Sequence, residues 1–422
     1  MPGSDNNDPK TLLIICGGIE ALHGVRHAKG MGFRVIVSDQ DPQAPAMGEA
    51  DAVIVASTYD TMATADAAQA FAETVGPIHG VIALGSDVPM TVAAVATRLG
   101  LTSLSEQTAA LAADKLAMKQ QFARDGVPIP WFAPVESAGE LARLIELRDE
   151  TLIIKPVDSR GSRGVARLLP DLNPQWAFDQ AMEHSPTGRV MVEAYLPGHQ
   201  VSTESLVING ACTTPGLSDR NYEFLERFAP FFVENGGDLP ATLSDSEQAS
   251  VFDVISKAAK SLDLSNGSIK GDVVMHNGTA HIIEVATRLS GGFFCSLEIP
   301  LNTGVDFLGC VMRHAVGLPI DPAELEPSQD VAVCQRYLWA EPGEVISIDG
   351  YDQARVLPGV EDVVITTALG EIIAEPTNCT PRAAMVITTG ASRAEAQANA
   401  ARAIETIRIK TVPLASPFQA KG

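Results

Sequence analysis

The stretch Ser268–Gly292, SIKGDVVMHNGTAHIIEVATRLSGG, decides how the chain is read. Two runs, SIKGDVVMH and TAHIIEVA, flank Asn277-Gly278, a pair suited to a two-residue type I′ turn, so the spacing predicts a β-hairpin. Counted outward from that turn, Asp272 and Glu284 reach about the same level on the two arms and can project to one face. Two facing carboxylates repel unless a cation lies between them. Magnesium suits that place, because it takes one or two protein carboxylates together with substrate phosphates. Arg288 follows four residues after Glu284 and can hold a negatively charged intermediate bidentately. Ser290, Gly291 and Gly292 come next. A solvated hairpin face with an acidic pair is the plainer alternative, but the apolar run before Glu284 sets that carboxylate at the edge of a core.

Upstream, Lys155 ends the apolar run LIIK and is followed by PVDSRGSRGV. A lysine at a strand end can set its ammonium on a phosphate. The small residues of Ser159–Gly164 then let backbone N–H groups approach the phosphate oxygens, with Arg160 and Arg163 adding charge. An exposed basic turn would read the same way. Nearer the start, the apolar runs TLLIIC, FRVIVSD, ADAVIVA and HGVIALG alternate with helical stretches, which predicts parallel βαβ units and an open doubly wound sheet over the first ~100 residues. Gly17-Gly18 after the first strand and Asp39 at the end of the second invite a dinucleotide reading. The GxGxxG is incomplete, so a tight strand-to-helix turn is the stronger reading. There is no GxxxxGK[ST] phosphate loop.

The 422 residues suggest about two or three domains and a large core. Acidic side chains number 52 against 30 basic ones, a formal net charge of −22, which argues against nucleic acid as the main partner. No apolar stretch approaches the roughly 18 residues of a membrane helix, so no membrane partner is expected. MPGSDNNDPK lacks the pattern of a signal peptide. Six cysteines stand singly at 16, 212, 295, 310, 334 and 379, as in reduced cytosolic proteins, so a cytoplasmic location is expected.

Taken in order, these motifs resemble the ATP-grasp superfamily over nearly the whole chain, from about Thr11 to Thr411. The resemblance runs through Asp114-Lys115 in ADKLAMKQQFARDGVPIP, Lys155 with its glycine loop, Glu193 in VMVEAYLPG, Asp272, and Glu284 with Arg288 in IIEVATRLSGG. It implies a mixed α/β and α+β fold. An N-terminal Rossmann-like open parallel sheet (11–105) precedes a two-part ATP-grasp body (106–330, its lid about 126–196). A small closing domain (331–412) follows, with flexible tails at 1–10 and 413–422.

The same resemblance implies that Lys115 and Lys155 contact ATP phosphates and that the loop Ser159, Arg160, Gly161, Ser162, Arg163, Gly164 closes over them. Glu193 contacts the adenine, and backbone groups of Ala194 and Leu196 pair with its edge. Asp272 and Glu284 hold magnesium, with manganese as a substitute, and Arg288 steadies an acyl phosphate. Two departures stand out: Ala286 replaces the further Asn metal ligand common in the family, and Gln200 replaces a Glu that meets the ribose, where Glu204 on the same strand face could assist.

The carboxylate–amine ligase branch, similar to L-amino-acid (dipeptide) ligases, fits best. RLSGG stands where biotin carboxylases carry a different run, and the C-terminal pattern from Ala340 to Ile409 is like the ligases' closing domain. Such an enzyme activates a carboxylate as an acyl phosphate and joins it to an amine. Arg288, with the amides of Gly291 and Gly292, would meet the developing oxyanion. Arg220, Ser290, Gly291 and Gly292 are the substrate-contact candidates, the partners are a small carboxylate and an amine, and a homodimer is expected by analogy. A purine-pathway-like ligase on a phosphorylated substrate and a non-catalytic nucleotide-binding protein are the alternatives. His199 and His276 are read as packed or solvated rather than as general bases, and Cys295 as a small buried residue.

Overall fold

The computed structural model describes residues 9–414. Residues 1–8 and 415–422, where most of the expected tails fall, lie outside the described residues. The chain groups into two compact units, each assembled from three segments. The first takes the chain up to Ile129, then Ser202–Leu217 and Leu243–Gln329; the second takes Pro130–Val201, Ser218–Thr242 and the chain from Asp330 onward. One division falls between Gln329 and Asp330, beside the cut expected at 330, while none falls at 105; the strands β9 (His199–Ile208) and β10 (Ala211–Arg220) each contribute residues to both units.

In the first unit, β1 (Thr11–Ile15), β2 (Arg34–Asp39), β3 (Ala52–Val55) and β4 (Gly80–Ala83) form a parallel sheet in the order β3-β2-β1-β4. All five residues of β1 are buried, as a strand covered on both faces requires. Helix α1 (Ile19–Gly30) connects β1 to β2, α2 (Thr61–Thr74) connects β3 to β4, and α3 (Pro89–Leu99) follows β4. The Gly17-Gly18 turn is structural: Gly17 N–H donates to the Asp39 carboxylate at 2.8 Å, and a Cβ on Gly17 would meet the Ala44 Cβ at 2.9 Å. Asp39 is therefore used in tying its own turn.

Two short helices follow, α4 (Glu106–Ala113) and α5 (Lys115–Asp125), capped by Ser105 and Asp114. The first unit also contains α8 (Asp245–Ser261), opened by a Ser244/Glu247 capping box, and the hairpin β12 (Gly267–His276) and β13 (Thr279–Ala286). The hairpin extends toward β9 and β10 in the order β13-β12-β9-β10. Asn277 and Gly278 both have positive φ, 49° and 75°, as the expected type I′ turn demands.

In the second unit, β5 (Phe132–Val135), β6 (Leu152–Pro156), β7 (Ala166–Leu168) and β8 (Val190–Ala194) make an antiparallel sheet ordered β5-β8-β6-β7. Helices α6 (Ala138–Leu147) and α7 (Pro174–Glu183) pack Leu141, Ala177 and Ala181 onto its Leu152, Ile154 and Val192. The end of β10 pairs with β11 (Gly237–Leu239), followed by β14 (Ala332–Leu338), β18 (Ala384–Gly390) and β16 (Val360–Ile365). Helix α12 (Arg393–Thr406) buries Ala396, Ala400 and Ala403 on that sheet. A small sheet of β17 (Ile372–Ile373), β15 (Gly343–Asp349) and β19 (Arg408–Val412) completes the unit.

Candidate active site

The hairpin of the first unit carries the carboxylate pair. Perfect pairing outward from the turn would set Asp272 opposite Ile283. A one-residue bulge between Asp272 and Val273 skips Ile283 and sets Asp272 directly opposite Glu284. Each carboxylate has a cationic neighbour: Lys270 bonds Asp272, and Lys115 Nζ lies 3.4 Å from Glu284. Ser202 Oγ also donates to Asp272 at 3.2 Å. Lys115 is mostly buried and sits at the first position of α5, held there by the Asp114 cap. Among the described residues no group of three or more His, Cys, Asp or Glu side chains could hold a metal ion. Two hard carboxylates suit magnesium, which completes its shell with phosphate oxygens and water; Ala286 supplies no further ligand.

The segment after Glu284 is pinned from two sides. Leu289 bridges to Leu84 at the end of β4, which brings Arg288 to Asp87, with Nε 3.8 Å from the carboxylate. Arg288 Nη1 donates to the Leu289 carbonyl at 3.2 Å. Ser290 N–H donates to the Glu204 carboxylate at 3.2 Å. Gly292 N–H donates to Glu20 Oε1 at 2.9 Å, and a Cβ on Gly291 would lie 3.1 Å from the same carboxylate. The two-amide oxyanion expectation is corrected on this point, because the Gly292 amide is committed to Glu20.

Glu204 also departs from expectation. It is fully buried and bonded to Ser290, not turned toward a ribose site. Burial pushes its carboxyl up to about 7, against the lowering effects of Ser290, Arg288 and Lys270. Cys295 is fully buried beneath this segment, and burial raises its thiol well above the ordinary range, as expected for an inert core cysteine.

In the second unit, Lys155 and Glu193 form a buried ion pair with an Nζ–Oε1 distance of 2.5 Å. They lie on neighbouring antiparallel strands, β6 and β8, so the lysine assigned to phosphate and the glutamate assigned to adenine touch each other. Ala194 N–H donates to the Trp131 carbonyl at 2.8 Å, so that amide serves the sheet and is not open to a base edge. Leu196 lies just past the strand, and Gln200 is the second residue of β9.

The loop after β6 turns through positive φ at Gly161, Ser162 and Gly164. Ser159 is buried, and Arg163 Nε donates back to the Arg160 carbonyl at 3.1 Å. A Cβ on Gly164 would fall 2.8 Å from the His184 Cβ. Cys379 N–H donates to the Gly161 carbonyl at 3.0 Å, and its thiol lies 3.8 Å from Ser162 Oγ.

His199 Nε2 pairs with Asp219 at 2.6 Å. Burial works to raise the Asp219 carboxyl, but His199, Thr242 and Arg393 outweigh it and hold the group below its ordinary value. His199 is thus a packed residue, as read; His276 contacts Asn277 and the His281 ring at the hairpin end. Arg220 does not stand as a lone surface arginine. It donates to Glu234 at 3.1 Å and lies over the Tyr222 ring.

Comparison with known proteins identifies the domains of the chain. The ATP-grasp domain family matches residues 112–292, and the family described as L-amino acid ligase C-terminal domain 2 matches residues 336–412. The chain carries an ATP-grasp domain and an L-amino acid ligase C-terminal domain. It is 26% identical over 336 residues to the uncharacterized protein y4rH of Sinorhizobium fredii, covering 78% of this chain and 68% of that protein. It is 26% identical to a D-alanine–D-alanine ligase of Gloeobacter violaceus over 48% of this chain and 68% of the ligase. The fold is similar to a crystal structure of an L-amino acid ligase from Bacillus licheniformis, with a TM-score of 0.79 at 21% identity, covering 96% of this chain and 99% of that one. No helix among the described residues is long and apolar enough to cross a membrane.

Glu20 and Lys119 escaped the sequence reading, and Glu204 was read at the ribose rather than at Ser290. Glu204 lies 86 residues from Ser290 and Glu20 lies 272 from Gly292, so no local pattern links them. Lys119, fully buried, had a signal: it stands one helical turn after Lys115 in α5.

Proposed function

We propose that the chain is an ATP-dependent carboxylate–amine ligase. The observation that carries this reading is the Asp272–Glu284 pair, set face to face by a bulge with Lys115 beside it and Arg288 four residues on. Asp272 and Glu284 would hold magnesium, whose charge offsets that of the nucleotide phosphates. By family likeness, Lys115 in the first unit and Lys155 in the second each offer an ammonium group to phosphate oxygens, and the loop Ser159–Gly164 offers backbone amides.

A substrate carboxylate oxygen attacks the γ-phosphorus, and ADP leaves. The amine nitrogen, having lost its ammonium proton to solvent or a nearby base, then attacks the acyl carbon. The carbon–oxygen bond to phosphate breaks, inorganic phosphate departs, and an amide forms with loss of a second proton from nitrogen. Arg288 balances the negative charge that gathers on the acyl oxygen and phosphate. Glu204 and Glu20 hold the backbone that follows Arg288, so its approach is preset by buried bonds.

The test is ADP release by the purified chain with magnesium across carboxylates and amines, alone and in pairs. Release that requires one member of each class supports the reading. Nucleotide binding with no turnover in any pair would leave a non-catalytic binding protein, and turnover that needs only a phosphorylated substrate would leave the purine-type alternative.

A further inference from the structure

A small cavity inside the first unit is lined by β4, by α3, by residues 287–289 and by α10 (Phe307–Ala315). Its volume is about 40 Å³, and Val81, Val92 and Val311 supply apolar wall. Backbone contacts set that wall. A Cβ on Gly80 would meet the Ala315 carbonyl oxygen at 2.5 Å, so α10 ends directly against β4. The Leu84–Leu289 bridge ties the end of the same strand to the segment that carries Arg288.

Three residues of the lining each bring a polar atom that is shut off from solvent and has no hydrogen-bond partner among the described residues: Thr287 Oγ1, Arg288 Nε and His314 Nε2. The Asp87 carboxylate, 3.8 Å from Arg288 Nε, is too far for a hydrogen bond. Buried polar atoms without partners are rare in folded proteins, and three on one cavity call for a shared one. A purely apolar cavity stays dry, whereas a water settles where it has room and two to four polar partners. Room is present, since one water needs roughly 10–15 Å³ of such space. Burial holds the His314 imidazole below its ordinary value, so near neutral pH the ring is uncharged and one of its nitrogens can accept a hydrogen bond.

We propose that one or two ordered waters occupy this cavity and that Thr287 and His314, acting through them, are positioning residues for Arg288. Arg288 Nε–H donates to the water oxygen, and the water donates its own hydrogens to His314 Nε2 and Thr287 Oγ1. The bond from Nη1 to the Leu289 carbonyl holds the guanidinium at one point. A second hold at Nε fixes its plane, and a planar fork engages an anion well only in the right plane. The ligase reading enters only in what Arg288 then does; the water and the hold on Nε stand apart from it.

The experiment joins kinetics of ADP release to crystal structures of the full chain. Thr287→Val and His314→Leu remove the polar atoms, while Thr287→Ser and His314→Gln keep one at each place. The apolar variants are expected to lower kcat by on the order of 10-fold with the KM for ATP within about 3-fold of wild type, and the polar variants to keep kcat within about 3-fold. The double variant Thr287→Val with His314→Leu should lose little more than either alone, because both act through the same water. Losses that spread over every KM and are not rescued by the polar variants would mark a packing defect and overturn the proposal. Wild-type crystals should show water within hydrogen-bond reach of Thr287 Oγ1 and His314 Nε2, and in Thr287→Val the Arg288 guanidinium should shift by about 1 Å. A dry cavity overturns the proposal, as does density that takes up bromide, which would mark an anion site. If the water is present but the apolar variants turn over like wild type, the ligase reading stands and the positioning role falls. If no carboxylate–amine pair turns over in wild type, the ligase reading falls and the Thr287→Val crystal decides alone: a shifted Arg288 upholds the inference and an unmoved one overturns it.

Discussion

Asp272 stands opposite Glu284 because Ile283 is left out of the ladder between their strands. Deleting Ile283 would make the ladder regular and still leave Glu284 opposite Asp272, so the two carboxylates stay on one face. Glu284→Gln instead removes one charge of the pair and is expected to lower apparent metal affinity by roughly 10–100-fold. Magnesium titrations of ADP release check this. Unchanged metal dependence in that variant would remove the carboxylate pair from the mechanism.

The Lys155–Glu193 pair is nearly inaccessible to water on both sides. Removing one partner strands the other charge, which typically costs about 3–5 kcal/mol, whereas replacing both with apolar residues is far milder. Glu193→Ala should therefore lose several kcal/mol in urea unfolding. The double variant Lys155→Met with Glu193→Leu should regain most of that loss while binding ATP poorly. A double variant as unstable as the single would show that the pair is not coupled.

Glu204 gives a stability signature in pH. Its folded carboxyl titrates near about 7 against an ordinary value of 4.5, so between those values the folded chain binds more protons than the unfolded one. Its contribution is therefore most favourable at low pH and is lost as pH rises from about 4.5 through about 7. Glu204→Gln keeps an oxygen for the Ser290 amide without the charge. The variant is expected to flatten the fall in urea midpoint between pH 5 and pH 8 and to exceed wild type in stability at pH 8. A wild-type slope unchanged by the substitution would show that Glu204 is ionised throughout.

Gly164 combines a φ of 72° with close neighbours at His184 and Pro156. Gly164→Ala would face a left-handed backbone penalty of about 1–2 kcal/mol together with that crowding. It should raise the KM for ATP several-fold with a smaller change for the other substrates. Steady-state kinetics with each substrate varied in turn read the difference; equal effects on every KM would indicate a global defect.

Much of this was legible in the chain because it is local. The Asn277-Gly278 turn and the run LIIK before its glycine loop fix structure over a few residues, and the structure places them as read. The bulge at Ile283 was not read; only an approximate level for the two carboxylates was. Glu20, and the Ser290 bond of Glu204, stayed hidden for a different reason. A buried carboxylate tied to a backbone amide leaves no mark in sequence, since every residue has an amide and only the fold selects which one is met. The Gly292 amide went the other way. Family likeness offered it to a ligand, while Glu20 had already used it.

The bond from Cys379 to Gly161 has a consequence in time. The thiol of Cys379 reaches a serine 217 residues earlier in the chain, beside the carbonyl that its amide holds. During synthesis the glycine loop leaves the ribosome long before that donor exists. The loop therefore acquires its final support only when the last fifth or so of the polypeptide has emerged and packed, a delay on the order of ten seconds or more at ordinary elongation rates. A chain ending at residue 374 should be cut faster than the full chain at Arg160 and Arg163 in limited trypsin digestion; equal rates would mean the loop stands without help.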